Sequence, residues 1–238
     1  MSQYTIEFLN EVESTNTYLK GKVKNKSVAA PYCVSTSIQK VGRGQRGNVW
    51  YSDPFLNVVA SFLVDTSSAV FELKKLNNAA TLAVVSCLST FGIKQVNVKW
   101  PNDVFVDGEK IAGVLIENVL AAGIVKSSVV GIGLNVNQKN FNGFNATSML
   151  LMNKVKYDVS DVLMVLYDQF YDKVNWASSK LLLELNTLLY KKDENVTFEE
   201  DGRIVTYKVK AILENGNLSV ESNNNVKEIE HHKCKWVK

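Results

Sequence analysis

Arginine forks and bare backbone amides are the protein's tools for gripping anions, and one stretch of this chain concentrates both. Over residues 42–50, Gly42, Gly44 and Gly47 are interleaved with Arg43 and Arg46, and Trp50 closes the run. Glycine tolerates positive φ and lets N–H groups approach a ligand closely. Arginine presents a planar set of donors matched to carboxylate and phosphate. Gln39 and Lys40 stand just before the stretch, and an apolar run over residues 58–64 follows it. The pattern reads as a mobile anion clamp hung on a buried strand. An exposed glycine-rich turn and an arginine–glycine segment gripping RNA compete with that reading.

Other chemistry-bearing residues lie along the first 150 positions. Ser14, Thr15 and Asn16 precede Tyr18, Leu19 and Val23. Small oxygen-bearing residues at a helix start act as caps, and the free N–H groups there attract polar ligands. Residues 96–100 alternate strictly, so Lys99 shares a face with Asn97 and opposes the valines. Gly131 and Gly133 in a strand let a flat ligand or another backbone come close. Catalysis by histidine is poorly supplied, since His231 and His232 are adjacent near the end. A Ser/His or Cys/His hydrolase is therefore excluded as a leading reading. His231-His232-x-Cys234 lacks the second cluster that a four-ligand metal site needs.

These residues need a scaffold. The 238 residues are 46% hydrophobic and 21% charged, enough for one large domain and a small one. The net charge of +3 is too small to point to nucleic acid as the main partner. No apolar stretch would span a bilayer, the start lacks a signal-peptide pattern, and Cys33, Cys87 and Cys234 suit reduced thiols in the cytoplasm. The pattern predicts strands over 4–9, 31–37, 96–100 and 129–137, a helix over 69–91, and a hairpin at Asp107-Gly108. Helical stripes follow at Val159, Leu163, Leu166, Phe170 and Val174, then at Leu182, Leu185 and Leu189. From Val196 only short strands are expected, over 196–199, 203–212, 217–221 and 226–230, forming a small β-barrel.

Six pieces in order resemble the biotin protein ligases: Ser14-Thr15-Asn16; Gln39 with the 42–50 loop; Lys99-Trp100-Pro101-Asn102-Asp103; Lys110-Ile111-Ala112-Gly113; the run 131–137; and Ala146-Thr147-Ser148. The resemblance implies an α+β fold, a mixed β-sheet flanked by helices like that of class II aminoacyl-tRNA synthetases. It implies a catalytic biotin/ATP-binding domain over 1–192 and a small SH3-like β-barrel domain over 193–238. Some members carry an N-terminal DNA-binding domain, for which the early motifs leave no room. The resemblance therefore implies the short class, with no DNA and no membrane as partner. The family contains monomers and homodimers.

The implied activity is ATP-dependent: biotin becomes biotinyl-5′-AMP and then passes to a lysine of a biotin carboxyl carrier protein of acetyl-CoA carboxylase or a related carboxylase. Mg²⁺ would accompany ATP, with no side-chain metal motif. By resemblance, Ser14, Thr15, Asn16, Gln39, Gly42, Arg43, Lys99, Gly113, Gly131 and Gly133 belong to the biotin site. Arg43, Arg46, Trp50, Lys99, Asn135, Thr147 and Ser148 belong to the ATP site, and Lys99, Arg43 and Arg46 are the catalytic set. Lys110 has a second reading, as a hairpin-edge charge. Some members have arginine where this chain has Gln45, and there that side chain helps hold the activated intermediate. The rivals are a lipoate-type protein ligase, a non-catalytic biotin sensor and an RNA-binding module.

Overall fold

A computed structural model describes residues 5–68, 72–223 and 225–237. Seven strands form one mixed sheet in the order β1-β2-β3-β7-β6-β5-β4. They are β1 (Ile6–Val12), β2 (Tyr32–Gln39), β3 (Val58–Asp65), β4 (Val96–Lys99), β5 (Asp103–Val106), β6 (Glu109–Ala121) and β7 (Ile124–Leu134). Only β1 and β2 run parallel; the other neighbours are antiparallel. The β5–β6 turn carries Asp107 and Gly108 at positive φ, as the Asp-Gly pair predicts.

Helices cover both faces of this sheet. On one side Leu19 of α1 (Thr15–Lys24) packs on Val34, Leu63 and Val129. On the other, α2 (Lys75–Thr90) and α4 (Val159–Val174) bring Leu76, Ala80, Cys87, Leu166 and Phe170 against Phe62, Val130, Ile132 and Leu134. Alternation along β3 and β7 therefore sends neighbouring residues into different cores. Burial raises the thiols of Cys33 and, to about 12, Cys87, so both are inert apolar filler.

Several expectations shift. The first strand starts at Ile6, and Tyr4 lies outside the described residues. The helix expected over 69–91 runs Lys75–Thr90, and residues 69–71 lie outside the described ones. Strand β7 begins five positions before residue 129, because β6 and β7 pair out to Ala121 and Ile124 around an Ala122-Gly123 turn. In α5 (Ser178–Thr187) the buried positions are Leu181 and Leu185, while Leu182 is half-buried and Leu189 lies beyond the helix in a bridge to Val98. A short helix, α3 (Met149–Asn153), follows the Ser148 cap and is an addition.

The second sheet holds β8 (Asn195–Glu200), β9 (Arg203–Ile212), β10 (Leu218–Ser222), β11 (Asn225–Ile229) and β12 (Cys234–Trp236). Its order, β11-β10-β9-β8-β12, leaves β11 and β12 as two open edges, so the expected barrel is not closed. The three residues of β12 spend their pairing on β8, and β11 spends its own on β10. Phe198, Val209, Leu218 and Val220 of this sheet continue the larger core. Asn186 of α5 ties across by accepting from Ile212 N at 2.7 Å and donating to Ile212 O at 2.9 Å. Among the described residues, no helix is long and apolar enough to cross a membrane.

Candidate functional site

The sheet face that carries α1 opens into a cleft between the start of α1, the 42–50 loop and strands β3, β6 and β7. Its floor is made by absent side chains. A methyl group on Gly131 would stand 2.5 Å from Asn16 Oδ1, and one on Gly133 would stand 2.2 Å from Trp50 Cε2. A methyl on Gly113, the register partner of Gly133, would be tight, 3.2 Å from Lys110 Nζ and 3.3 Å from Trp50 Cζ3. Three small residues on adjacent strands thus leave a slot wide enough for a ring.

The polar wall comes from the start of α1. Ser14 caps the helix by accepting from Thr17 N, and Ser14, Thr15 and Asn16 are all buried. Gln39, at the end of β2, accepts from Thr15 N at 3.0 Å through Oε1. Arg43, Gly44, Gln45 and Asn48 form the lid side. The 42–50 loop is a tight hairpin: Gly44 N donates to Asn48 O at 2.7 Å and Trp50 N to Gly42 O at 3.1 Å. Gly42 leaves no room for a side chain, since a methyl there would meet Trp50 O at 2.2 Å.

A second cleft lies beyond Trp50, lined by Tyr51, Lys99, Phe105, Asn135, Phe141 and Phe144 among others. Its flat aromatic walls and its lysine suit an aromatic, negatively charged ligand. Val49, Trp50, Asp103 and Lys110 line both clefts and form the wall between them. Lys110 Nζ is paired with Asp103 Oδ1 at 2.6 Å and stands 5.6 Å from the Trp50 ring centroid. Lys99 Nζ lies over Phe105 at 4.9 Å and over Trp236 of the second sheet at 5.3 Å, a cation–π cradle. Two lysines therefore approach the boundary where ligands in the two clefts would meet.

The sequence-predicted residues separate accordingly. Ser14, Thr15, Asn16, Gln39, Arg43, Gly113, Gly131 and Gly133 line the first cleft, with Trp50 on the dividing wall. Lys99 and Asn135 line the second. Arg46 lines neither: it adopts φ 56°, and its guanidinium donates to Cys234 O at 3.1 Å. Thr147 and Ser148 are buried behind the second cleft, where their neighbours Asn145 and Ala146 provide the lining. Ser148 accepts from Leu151 N and donates to Gln138 O at 2.6 Å, so its visible work is to start α3. Asn135 donates to Thr147 O at 2.9 Å, and its Oδ1 is buried without a partner, as is Trp50 Nε1. Unsatisfied buried atoms of this kind are rare in folded chains, and these two belong to residues that line the clefts.

Sequence reasoning missed Phe141 and Phe144, although two aromatics inside an asparagine-rich run were a usable signal. Trp236 was invisible to it, because nothing near residue 236 announces contact with Lys99. Trp100 lines neither cleft: it is 2% exposed, and it donates from Nε1 to Gly216 O at 2.9 Å. Among the described residues, no group of three or more His, Cys, Asp or Glu could hold a metal ion.

The model of the biotin/lipoate A/B protein ligase family matches residues 8–135, more than half the chain. The bifunctional ligase/repressor BirA of Bacillus subtilis (strain 168) is 30% identical over 139 residues, 58% of this chain and 42% of that protein. The biotin–[acetyl-CoA-carboxylase] ligase of Paracoccus denitrificans is 32% identical over 100 residues, 41% of each chain. The matched stretch spans about two-fifths of the length of these curated relatives. In fold, the Aquifex aeolicus biotin protein ligase solved in complex with biotin and ATP is similar with a TM-score of 0.83 at 24% identity, covering 98% of this chain and 99% of that one.

Proposed function

Because the chain belongs to the biotin/lipoate A/B protein ligase family, we propose that it activates biotin with ATP and passes it to a lysine of a biotin carboxyl carrier protein. The observation that carries this reading is the pair of clefts sharing the Trp50–Lys110–Asp103 wall. A ring-bearing acid in the first and a nucleotide in the second would bring carboxylate and α-phosphate together at that wall. In this reading residues 1–192 are the biotin/ATP-binding domain, and 193–238 are a small domain that closes on it from the side of Lys99. The setting is the cytoplasm.

The chemistry needs little proton transfer. A carboxylate is already ionised at neutral pH, so attack on phosphorus requires no base. What it requires is proximity of two anions and neutralisation of the charge that builds on the transferring phosphate. Lys99, Lys110 and Arg43 supply that positive charge here. Ser14, Thr15, Asn16 and Gln39 hold the ureido ring over the Gly113–Gly133 floor, Asn135 borders the nucleotide, and Trp50 separates ring from base. Mg²⁺ would shield the phosphate oxygens of ATP. A magnesium ion carried mainly by phosphates and water fits a site with one lining carboxylate, Asp103. Arg46 acts at one remove, by tying the loop to the second sheet.

The test is exchange of labelled pyrophosphate into ATP, with biotin and lipoate offered separately. Biotin-dependent exchange is expected. Exchange with lipoate alone would move the chain to the family's other branch, and exchange with neither would refute the activity.

A further inference from the structure

Behind the first cleft runs a buried line of hydrogen bonds whose direction is fixed from its far end. Glu117 on β6 accepts from Asn16 Nδ2 at 2.9 Å and is paired through its other oxygen with Lys20. Burial pushes this carboxyl up, but the bonds from Lys20 and Asn16 outweigh it and hold the group below its ordinary range. Glu117 is therefore an anion at neutral pH and can only accept. Asn16 Nδ2 also meets Leu115 O, a second pure acceptor, at 3.3 Å. These two contacts assign the amide: nitrogen toward β6, oxygen toward β3.

On β3 stands Ser61, fully buried, its Oγ 2.6 Å from Asn16 Oδ1 and 2.7 Å from Thr15 Oγ1. Two oxygens this close share a proton. The amide oxygen has none to give, so Ser61 spends its single proton on Asn16. The proton in the second contact is then the one on Thr15. With that proton turned toward Ser61, the Thr15 hydroxyl offers the cleft only lone pairs. Gln39 Oε1, 3.3 Å from Thr15 Oγ1, is already engaged by Thr15 N.

We propose that Ser61, held by Asn16 and Glu117, is a positioning residue that sets Thr15 as an acceptor and so makes the first cleft select a ring N–H over a ring oxygen. The proposal rests on the reading that this cleft takes biotin, whose ureido ring presents two N–H groups. Ser61 itself does not line the cleft. Without its acceptor oxygen, the Thr15 proton is free to rotate toward the ligand, and the preference relaxes.

The test compares calorimetric affinities of the full chain for biotin and for two cyclic carbamates, each with one ring N–H replaced by oxygen. The wild type is expected to bind at least one carbamate roughly 10²-fold more weakly than biotin, since acceptor would face buried acceptor. In Ser61→Ala that gap is expected to narrow about tenfold, whatever happens to the absolute affinities. Ser61→Cys, which keeps the bulk and only weakly accepts, should behave likewise and carries the measurement if the alanine variant melts early. A merely structural Ser61 would weaken all three ligands in proportion. An unchanged ratio in both variants, with biotin still bound by the wild type, overturns the relay and spares the functional reading. A wild type that binds no biotin overturns both.

Discussion

Replacing Gly133 by alanine adds one carbon to the floor between the two clefts. That carbon would lie 2.2 Å from Trp50 Cε2, 2.5 Å from Cζ2 and 2.6 Å from Nε1. Non-bonded carbons rest about 3.5–4.0 Å apart, so something must retreat by more than about 1 Å. The strand cannot, because Gly133 is registered against Val59 on one side and Gly113 on the other. The Trp50 indole must move. Overpacking of this kind costs about 1–3 kcal/mol. For a chain of this size each kcal/mol lowers the Tm by about 2–4 °C. Thermal melts and biotin titrations should therefore show a lower Tm and weaker binding in Gly133→Ala. The same change made in a Trp50→Ala background should cost less than half as much. Gly21→Ala serves as the control: it lies in α1 with nothing within 4 Å of the added carbon, and it should gain stability by about 0.5–1 kcal/mol. Equal costs for Gly133→Ala with and without the indole would refute the packing argument.

Three further outcomes are expected. Lys99→Ala should fold normally and lose roughly 10²–10³ of its pyrophosphate-exchange rate, the ordinary cost of removing one charge-stabilising group; a rate within a few-fold of wild type would remove Lys99 from the chemistry. Arg43 and Arg46 are exposed in the 42–50 hairpin, so trypsin should cut there, and biotin with ATP should slow the cut sharply; equal cutting with and without ligand would count against a clamp. Burial, and then the charges of Arg46 and His232, hold the pKa of His231 below its ordinary value. The unfolded chain takes that proton near about pH 6.5, so the stability due to neutral His231 is complete above that pH and is lost as pH falls through the lower folded value. His231→Gln should flatten the fall in Tm between about pH 7.5 and 5.5, and an undiminished fall would clear the histidine of that role.

What the sequence showed, it showed through local rules. Strict alternation put Lys99 and Asn97 on one face of β4, and the burial of Val96 and Val98 agrees. Asp107-Gly108 announced its hairpin, and Ser14 its cap, because turn and cap chemistry are decided within a few residues. The small residues at 113, 131 and 133 spoke for a close approach, and the added-carbon distances agree at 131 and 133. What stayed hidden was decided at long range. Arg46 turns to Cys234 and Lys99 lies over Trp236; neither follows from spacing. Strand β12 was overlooked because three residues containing Lys235 carry no period and exist as a strand only by pairing with β8. The shift from Leu182 to Leu181 has the same source: α5 packs chiefly on α2, an element far earlier in the chain, and the buried positions are Leu181 and Leu185.

The bond from Arg46 to Cys234 joins positions 188 residues apart. A ribosome adding about 5–20 residues per second needs roughly 10–40 s to travel that distance. Ser14 and the loop exist from the start of that interval and the glycine floor from Gly133 onward, while the strand that anchors the loop and the indole that cradles Lys99 are made only at its end. A nascent chain is thus able to assemble much of the first cleft before it can complete the second. The order of synthesis leaves the second cleft, with its Lys99–Trp236 contact, as the last part of the site to be completed.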